Sequence, residues 1–433
     1  MKKLFQNGLL IILSLAAGYT GLEYFLFPAL LDRVPLKLHF AVKEEIRVLT
    51  QSSKDSVVPE RYLALFGDSY SQGYGDWLLD ADPDANSPYH SAHVLHDLSG
   101  RDVITFGKSG SGSLSGLVGH PVRWLDYIRQ SRLSSLPDPG EILVYFYEGN
   151  DLNDNLEDLK TRYIERNYDP AKVYDPAYFR SFIEKEVVGT SPFKNPDWTD
   201  LFFFTDFLQR TLKARDNNKS TLIASENVSP GEGKVNRAII GGKERPIPDG
   251  LQSPALELTS GELHLTVYIF EQALKYMKER FQGIPIHVVY LPSVLSCYEI
   301  VSPYVSIQNY QKSRESTYPS YLVHQRGEQI ATMIRSIAGI SVAVERPRTT
   351  LVTCASSSIT APFSRPRTRT VYPATRPARR RVRVGLPLLC TTVTGPSALP
   401  RAMASEMKRS AWACRKRLVP NWMMGVVDMN VLP

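Results

Sequence analysis

The sequence predicts an α/β domain with a parallel sheet that is covered by helices on both faces. Two observations support this class: short apolar runs end at glycine or proline, and helical patterns lie between several of these runs. A strand buried on both faces reads as a continuous apolar run, because neither of its sides meets water. Strands that alternate with helices favour parallel pairing, since each helix carries the chain back across the sheet.

Five apolar runs are the predicted strands. The first three are each followed within two residues by a glycine, the fourth is followed by a proline, and the fifth is the weakest. They cover residues 61–66, 102–106, 141–147, 286–291 and 340–344. These runs and the helices between them place the globular domain at residues 61–344.

The strongest helical pattern lies between the third and fourth strands. Apolar side chains recur there at intervals of three or four residues, beginning at Leu263 and ending at Phe281. Thr259 and Glu262 fit a capping box at its start, and Gly283 fits a cap at its end. Residues 117–128 and 330–337 are predicted helices as well.

The N-terminus predicts a membrane anchor at residues 1–33. Lys2 and Lys3 precede an apolar stretch at residues 4–31, and about 20 apolar residues are enough to cross a bilayer. Small residues at 16–18 leave a cleaved signal peptide as the alternative. With the two lysines inside, the rest of the chain lies on the extracytoplasmic, periplasmic side. Residues 34–60 are interpreted as a polar, partly helical stalk.

Charge along the chain excludes an obvious nucleic-acid partner. Residues 341–433 carry 16 basic and 3 acidic side chains, and the remainder has a net charge of −6. A mildly acidic body offers no phosphate-binding face. The segment 345–433 is rich in Arg, Pro, Thr and Ser, and it is interpreted as a disordered tail that binds, at most, anionic lipid or polymer.

Two further regions are assigned without a defined chemistry. Residues 156–258 interrupt the strand–helix rhythm and are interpreted as an insertion, either a lid or substrate wall or a structural elaboration. The four cysteines show no C-x-x-C spacing, and the cluster His90, His93 and His96 lacks a third-ligand pattern. No metal and no cofactor are therefore expected.

Small polar residues follow the first three predicted strands. The three loops begin Gly67-Asp68-Ser69, Gly107-Lys108-Ser109-Gly110 and Gly149-Asn150-Asp151. In an open parallel sheet the carboxyl ends of the strands line one crevice, so these groups are expected to gather there. A serine there can act as a nucleophile toward an ester, and a glycine N–H and a side-chain amide can stabilise the oxyanion. The alternative is that these loops have no catalytic role, in which case Asn150 is a turn residue and Asp151 is a helix N-cap.

These three loops resemble blocks I, II and III of the SGNH (GDSL) hydrolases, in the same order and at similar spacing. The resemblance implies that Ser69 is the nucleophile. It implies an oxyanion hole made by the backbone N–H of Ser69, by Gly110 and by Asn150. It also implies a flavodoxin-like, three-layer α/β/α fold with a five-stranded parallel sheet.

The sequence departs from that family at the catalytic base. The family places an Asp-x-x-His block after the last strand, but the last histidine of this chain is His324, before residue 340. His120 or His324 is the remaining candidate for the base. The expected function is an extracytoplasmic ester hydrolase acting on small or glycan esters, such as acylated envelope glycans. The alternatives are an inactive glycan-binding protein or an O-acyltransferase, with activity lost through an altered, out-of-frame C-terminus.

Overall fold

The computed structural model describes residues 2–72, 90–131, 133, 136–189, 196–216, 235–308, 315–337 and 341–344. The predicted basic tail lies outside the described residues, as do Cys354, Cys390 and Cys414. In the described parts the strands are β1 (Tyr62–Phe66), β2 (Asp102–Thr105), β3 (Glu141–Tyr147), β4 (Arg237–Ile240), β5 (Lys243–Pro246), β6 (Ile286–Leu291), β7 (Glu299–Ile300), β8 (Tyr304–Gln308), β9 (Glu315–Pro319) and β10 (Ser341–Val344).

The α-helices of the described parts vary from three to 21 residues in length. They are α1 (Lys2–Gly21), α2 (Phe27–Ala29), α3 (Ser69–Gln72), α4 (Ser91–Ser99), α5 (His120–Gln130), α6 (Asp151–Leu159), α7 (Pro176–Phe182), α8 (Phe203–Asp216), α9 (Pro254–Glu257), α10 (Ser260–Arg280) and α11 (Tyr321–Arg335). Wider π-helical turns join several of them, at Leu22–Leu26, Leu114–Gly119, Lys160–Ile164 and Ile183–Val188.

A parallel sheet forms the centre of the domain. Its strands lie in the order β6, β3, β1, β2, and β10 pairs in parallel with the outer side of β6. All five side chains of β1 are buried, which explains why the strand reads as one apolar run. The predicted mixed α/β class with a parallel sheet is confirmed.

Both faces of this sheet are covered. Because side chains alternate along a strand, Leu63 and Leu65 point to one face, where they join a cluster with Ala92 of α4. Ala64 and Phe66 belong to the larger core on the other side, which also contains side chains of α5, α6 and α10. The polar residues that follow β1 and β3 therefore lie at the carboxyl edge of a sheet whose two faces are both packed.

Helix α10 begins and ends close to the predicted positions. The Thr259 side chain accepts a hydrogen bond from the Glu262 N–H, and the Glu262 carboxylate accepts one from the Thr259 N–H, so the capping box is present. The helix is capped at Phe281, and Gly283 follows two residues later with a φ of +78°. Glycine suits that left-handed conformation because it has no Cβ.

Residues 34–50, the first part of the predicted stalk at 34–60, pack against the domain. They form two 3₁₀ helices, Leu36–Ala41 and Glu44–Thr50, which lie against the domain. Ala41 and Leu49 are fully buried there, and Ile46 is 1% exposed. A 3₁₀ helix repeats every three residues, so its buried face does not show the 3.6-residue pattern of an α-helix.

The predicted insertion, 156–258, is built into the fold. Phe179 and Phe182 of α7 are fully buried in the main core. Its strands β4 and β5 pair in an antiparallel sheet with β7, which follows β6 in the chain. A smaller core that includes Ala238 and Val305 lies beside this sheet. Pairing between segments on either side of β6 was not predicted from the sequence.

The N-terminal segment is helical through α1, the π-helical turn and α2. The most apolar 18-residue window within Gln6–Ala29 has a mean hydropathy of 1.7, and only 6% of that window is buried. Ile11, Ile12 and Leu15 are 60–68% exposed. This helix is long and apolar enough to be a membrane anchor or a signal sequence.

Candidate active site

The predicted nucleophile lies in a tight turn directly after β1. Gly67 has a φ of +146°, and a Cβ there would stand 3.0 Å from the Tyr145 carbonyl oxygen, so only glycine fits without strain. Ser69 begins the short helix α3 and is half-buried. Its hydroxyl donates to the Asp68 carboxylate, with 3.4 Å between Oγ and Oδ2. The turn therefore holds the hydroxyl at the carboxyl edge of the sheet.

Asp68 joins this turn to the loop that follows β3. Its carboxylate is 1% exposed, and it accepts hydrogen bonds from the Tyr70 N–H and from the Asn150 side chain. Asn150 is the N-cap residue of α6, but its side chain makes no capping bond to that helix. The amide is therefore directed across to Asp68, and the structure brings the predicted Ser69 and Asn150 to one carboxylate.

The loop after β2 packs on the nucleophile turn through its first residues. A Cβ at Gly107 would lie 1.9 Å from Ser71 Oγ and 2.5 Å from the Gln72 backbone nitrogen. The Ser109 N–H also donates to Gln72 Oε1 at 2.6 Å. Gly110, the third predicted site residue, is exposed with a φ of +70° and open space around its Cα. The structure ties the loop of Gly110 to the site, and the role of its N–H as an oxyanion donor remains a prediction.

The same loop then contacts α6, so the three loops meet in pairs. A Cβ at Gly112 would lie 2.8 Å from the backbone carbonyl of Asp154. The Ser113 N–H donates to Asn155 Oδ1 at 2.5 Å, and the Asn155 amide donates to the Thr266 carbonyl of α10. These contacts hold the second loop against the helix that Asn150 caps.

Two buried acids give the site its electrostatic character. Burial raises the pKa of Asp68 to about 6, although hydrogen bonds from Tyr70 and Asn150 oppose the shift. Burial also raises the pKa of Asp151 well above its usual range, and the negative charge of Asp68 adds to this. Like charges in a dry site do not both ionise readily, so these two carboxyl groups hold their protons to a higher pH than exposed aspartates do.

Asp151 is not the N-cap of α6, contrary to that alternative. The helix is capped at Asn150, and Asp151 occupies its first turn. Its carboxylate accepts a hydrogen bond from the Tyr147 N–H at 2.7 Å. The side chain therefore anchors the end of β3 rather than the start of the helix.

A second buried carboxylate network lies at the same edge and was missed in the sequence. Glu148, directly after β3, is fully buried. It accepts hydrogen bonds from the Tyr290 hydroxyl at 2.5 Å, the Ser293 hydroxyl at 3.0 Å and the Ser296 hydroxyl at 2.7 Å. The only sequence signal was a glutamate at the end of a buried strand, because its partners lie up to 148 residues away.

Neither candidate for the base, His120 or His324, forms a hydrogen bond with the Ser69 hydroxyl in the described parts of the chain. His120 packs on the Trp124 ring, and burial lowers its pKa to about 3. His324 is exposed on α11. His90 lies beside the nucleophile turn, where its ring forms a hydrogen bond with the Ser71 backbone, and burial lowers its pKa to about 3. These histidines offer no imidazole bonded to the Ser69 hydroxyl within the described ranges.

A surface cavity lies elsewhere in the described parts of the chain. It has a volume of about 440 Å³ and lies between α10 and α11, with Tyr174, Tyr268 and Met333 among its lining residues. None of the three predicted site residues lines it. Within the described ranges, no group of three His, Cys, Asp or Glu side chains is arranged to hold a metal ion.

Comparison with known proteins does not assign this chain to a family. No known protein family matches the sequence, and no curated protein is detectably similar. Among solved structures, the chain is similar to an acetyl xylan esterase from the rumen bacterium Butyrivibrio proteoclasticus, with 13% identity and a TM-score of 0.25. That match covers 66% of this chain, and the chain spans 56% of that enzyme's length. A likeness of this size assigns neither a fold nor an activity.

Proposed function

We propose that the chain is an ester hydrolase of the SGNH type that works through an acyl-enzyme on Ser69. The observation that carries the proposal is the meeting of the Ser69 hydroxyl and the Asn150 amide at the buried Asp68 carboxylate. Residues from two non-consecutive loops converge there, at the edge of a parallel sheet where ligands bind. A simple strand-ending turn does not require the second loop.

The arrangement supplies the parts that ester cleavage needs, apart from an assigned base. An amide nitrogen carries two hydrogens, so Asn150 can hold Asp68 with one and offer the other to a substrate oxygen. Gly110 exposes its backbone on the neighbouring loop, and Ser69 adds its own N–H. Donors placed where negative charge develops lower the barrier to the tetrahedral intermediate. The proposed reaction begins when Ser69 Oγ bonds to the ester carbonyl carbon and its proton passes to a base.

An aromatic wall beside the site suits an organic ester. The Tyr70 and Tyr147 rings pack edge to face with 4.3 Å between their centroids. A Cβ at Gly149 would lie 2.2 Å from the Tyr147 ring, so the glycine lets this ring fold back over the loop. We propose that the ring pair shields one side of the nucleophile turn from water, which would strengthen hydrogen bonds to a substrate carbonyl.

The finer assignments belong to the same proposal. Parallel pairing of β10 with β6 supports a five-stranded, three-layer SGNH arrangement. The apolar helix that follows Lys2 and Lys3 supports a membrane anchor with the domain on the extracytoplasmic side. Action on acylated envelope glycans follows from that location. The SGNH-like domain is proposed to span residues 61–344, with residues 34–50 packed against it as an extension.

A fluorophosphonate probe tests the nucleophile directly. Wild-type protein should be labelled at Ser69, and Ser69→Ala should lose both labelling and hydrolysis of p-nitrophenyl acetate. Ser336→Ala is the matched control, because Ser336 is an exposed serine after α11 whose hydroxyl bonds only locally, to the Met333 carbonyl. Equal labelling of wild type and Ser69→Ala would disprove the nucleophile.

A glycan-binding protein without catalysis is the second candidate. The observation that favours it is the histidine arrangement: His90 bonds to the Ser71 backbone, and His120 packs on Trp124. Loss of the base costs orders of magnitude in rate even when the rest of a triad remains. This candidate predicts that acylated glycans bind at the Asp68–Asn150 edge while the probe leaves Ser69 unlabelled.

A further inference from the structure

The N-terminal helix is attached to the globular domain well before it ends. Contacts begin at Tyr19, whose hydroxyl lies 2.6 Å from Thr205 Oγ1, and they continue at Glu23. Phe27 then packs against Phe204 of α8, with 5.5 Å between the ring centroids. Residues 9–18, which precede Tyr19 in this helix, are exposed. The part of the apolar segment that precedes these contacts, here named the free part, is residues 4–18.

That free part is too short to cross a bilayer. Fifteen helical residues rise about 22 Å at 1.5 Å per residue, whereas the hydrocarbon core is about 30 Å thick. A spanning helix must therefore include residues 19–23 and the part of the domain bound to them. This inference rests on the proposed membrane anchor, and it holds whichever way the helix is oriented.

Glu23 shows how a carboxylate is tolerated at this depth. Its side chain is 1% exposed and accepts hydrogen bonds from the Phe204 N–H at 2.7 Å and from the Thr205 N–H at 3.3 Å. It also accepts one from the Thr205 hydroxyl at 3.2 Å. These amides belong to the first turn of α8, which has no helical acceptors of its own and carries partial positive charge. Backbone groups and acids within a membrane need such internal partners.

Apolar and aromatic side chains surround this joint and face outward. Trp198 is 46% exposed, Leu201 is 44% exposed and Tyr19 is 42% exposed. Tryptophan and tyrosine favour the boundary between headgroups and acyl chains, where an apolar ring and a polar edge are both satisfied. The turn before α8 thus presents the residue types of a membrane interface beside a helix that is apolar enough to span.

We propose that residues 198–205, the shoulder, are embedded in the interface of a phospholipid bilayer, in the leaflet nearest the domain. The acid within the shoulder does not oppose this placement. Asp200 is 7% exposed, forms an ion pair with Lys43 and accepts a hydrogen bond from the Tyr127 hydroxyl. The shoulder thus reaches the lipid without an unpaired buried charge, and it seats the domain directly on the membrane surface.

Tryptophan fluorescence tests the depth of the shoulder. The full chain is reconstituted in phosphatidylcholine vesicles, with or without bromine on the acyl chains near the headgroup. The fluorescence of Trp198 is obtained as the emission of wild type minus that of Trp198→Phe. This difference is compared between vesicles with and without bromine. The Trp198 contribution should be quenched by the brominated lipid and protected from aqueous iodide. Trp124→Phe is the matched control, because Trp124 lies in the core and is 8% exposed, so its contribution should resist both quenchers.

Three other outcomes are informative. Quenching of Trp198 by iodide in vesicle-bound protein would overturn the shoulder and leave the anchor intact. Resistance to both quenchers would also overturn it, and would indicate cover by a second copy of the chain. Failure of the protein to float with vesicles in a density gradient would refute the anchor and, with it, the shoulder. Labelling of Ser69 by the fluorophosphonate probe is measured separately, so failure of the hydrolase proposal is distinguishable from each of these.

Discussion

Replacement of Asp68 by asparagine should change how the stability of the protein depends on pH. Burial raises the pKa of Asp68 from 3.8 to about 6 in the folded protein. A pKa that is higher by one corresponds to about 1.4 kcal/mol, so the folded state loses about 3 kcal/mol of relative stability when this carboxyl ionises. Asparagine keeps the shape and the carbonyl acceptor but does not titrate.

The sign of the effect follows from the raised pKa. Between pH 4 and pH 6 the folded protein holds the Asp68 proton more tightly than the unfolded chain does. This contribution is complete below the unfolded pKa and disappears as the pH rises through the folded pKa. Wild type should therefore lose about 3 kcal/mol relative to Asp68→Asn between about pH 4 and pH 8.

The assay is chemical denaturation of the full chain in a mild detergent, followed by fluorescence at several pH values. Asp197→Asn is the control with the opposite sign, because hydrogen bonds from Thr199 lower the pKa of Asp197. Wild type should gain stability relative to that control variant as the pH rises. If the difference between wild type and Asp68→Asn stays constant with pH, or grows in favour of wild type at high pH, then burial does not raise the pKa of Asp68.

Two substitutions, Gly107→Ala and Glu148→Ala, test the packing of the site, and Gly261→Ala is the control. Gly107→Ala places a Cβ 2.5 Å from the Gln72 backbone nitrogen, which cannot move without the rest of its turn. The free energy of unfolding should fall by about 3 kcal/mol, and probe labelling at Ser69 should weaken. Gly261→Ala, with open space around a residue of α10, should stabilise by up to about 1 kcal/mol. Glu148→Ala removes the acceptor of several buried hydroxyls. The free energy of unfolding should fall by about 3 kcal/mol, which a lower thermal midpoint would show. Unchanged midpoints for Gly107→Ala or Glu148→Ala would contradict the contacts described.

The sheet was predictable because its strands are buried on both sides. The predicted runs 141–147 and 286–291 coincide with β3 and β6, since a strand hidden from water carries apolar residues throughout and stops at a turn residue. The capping box of α10 was equally predictable, because both partners lie within one helical turn. Strand burial and helix capping depend on residues that are close together in the sequence, so the sequence predicts them.

Packing of residues 34–50 was not predictable in the same way. Over the whole predicted stalk, residues 34–60, polar residues outnumber apolar ones, so the sequence predicted a polar segment and not the inward face of two 3₁₀ helices. The Asp68–Asn150 contact was expected only in outline. Which atoms meet depends on the register of β1 against β3, where Leu63 pairs with Glu141. The Glu148 network required Ser293, which follows a strand much later in the chain.

The amino-acid sequence alone predicts the strands of the parallel sheet and the apolar N-terminal helix. It also predicts the three polar loops at the ends of consecutive strands. Two contacts become visible only in the folded chain: Asn150 turns away from its own helix to hold Asp68, and Glu23 caps α8 across the fold. The difference is one of range. Burial and helix capping act between neighbours in the chain, whereas a hydrogen bond between distant loops exists only after the sheet has set their register.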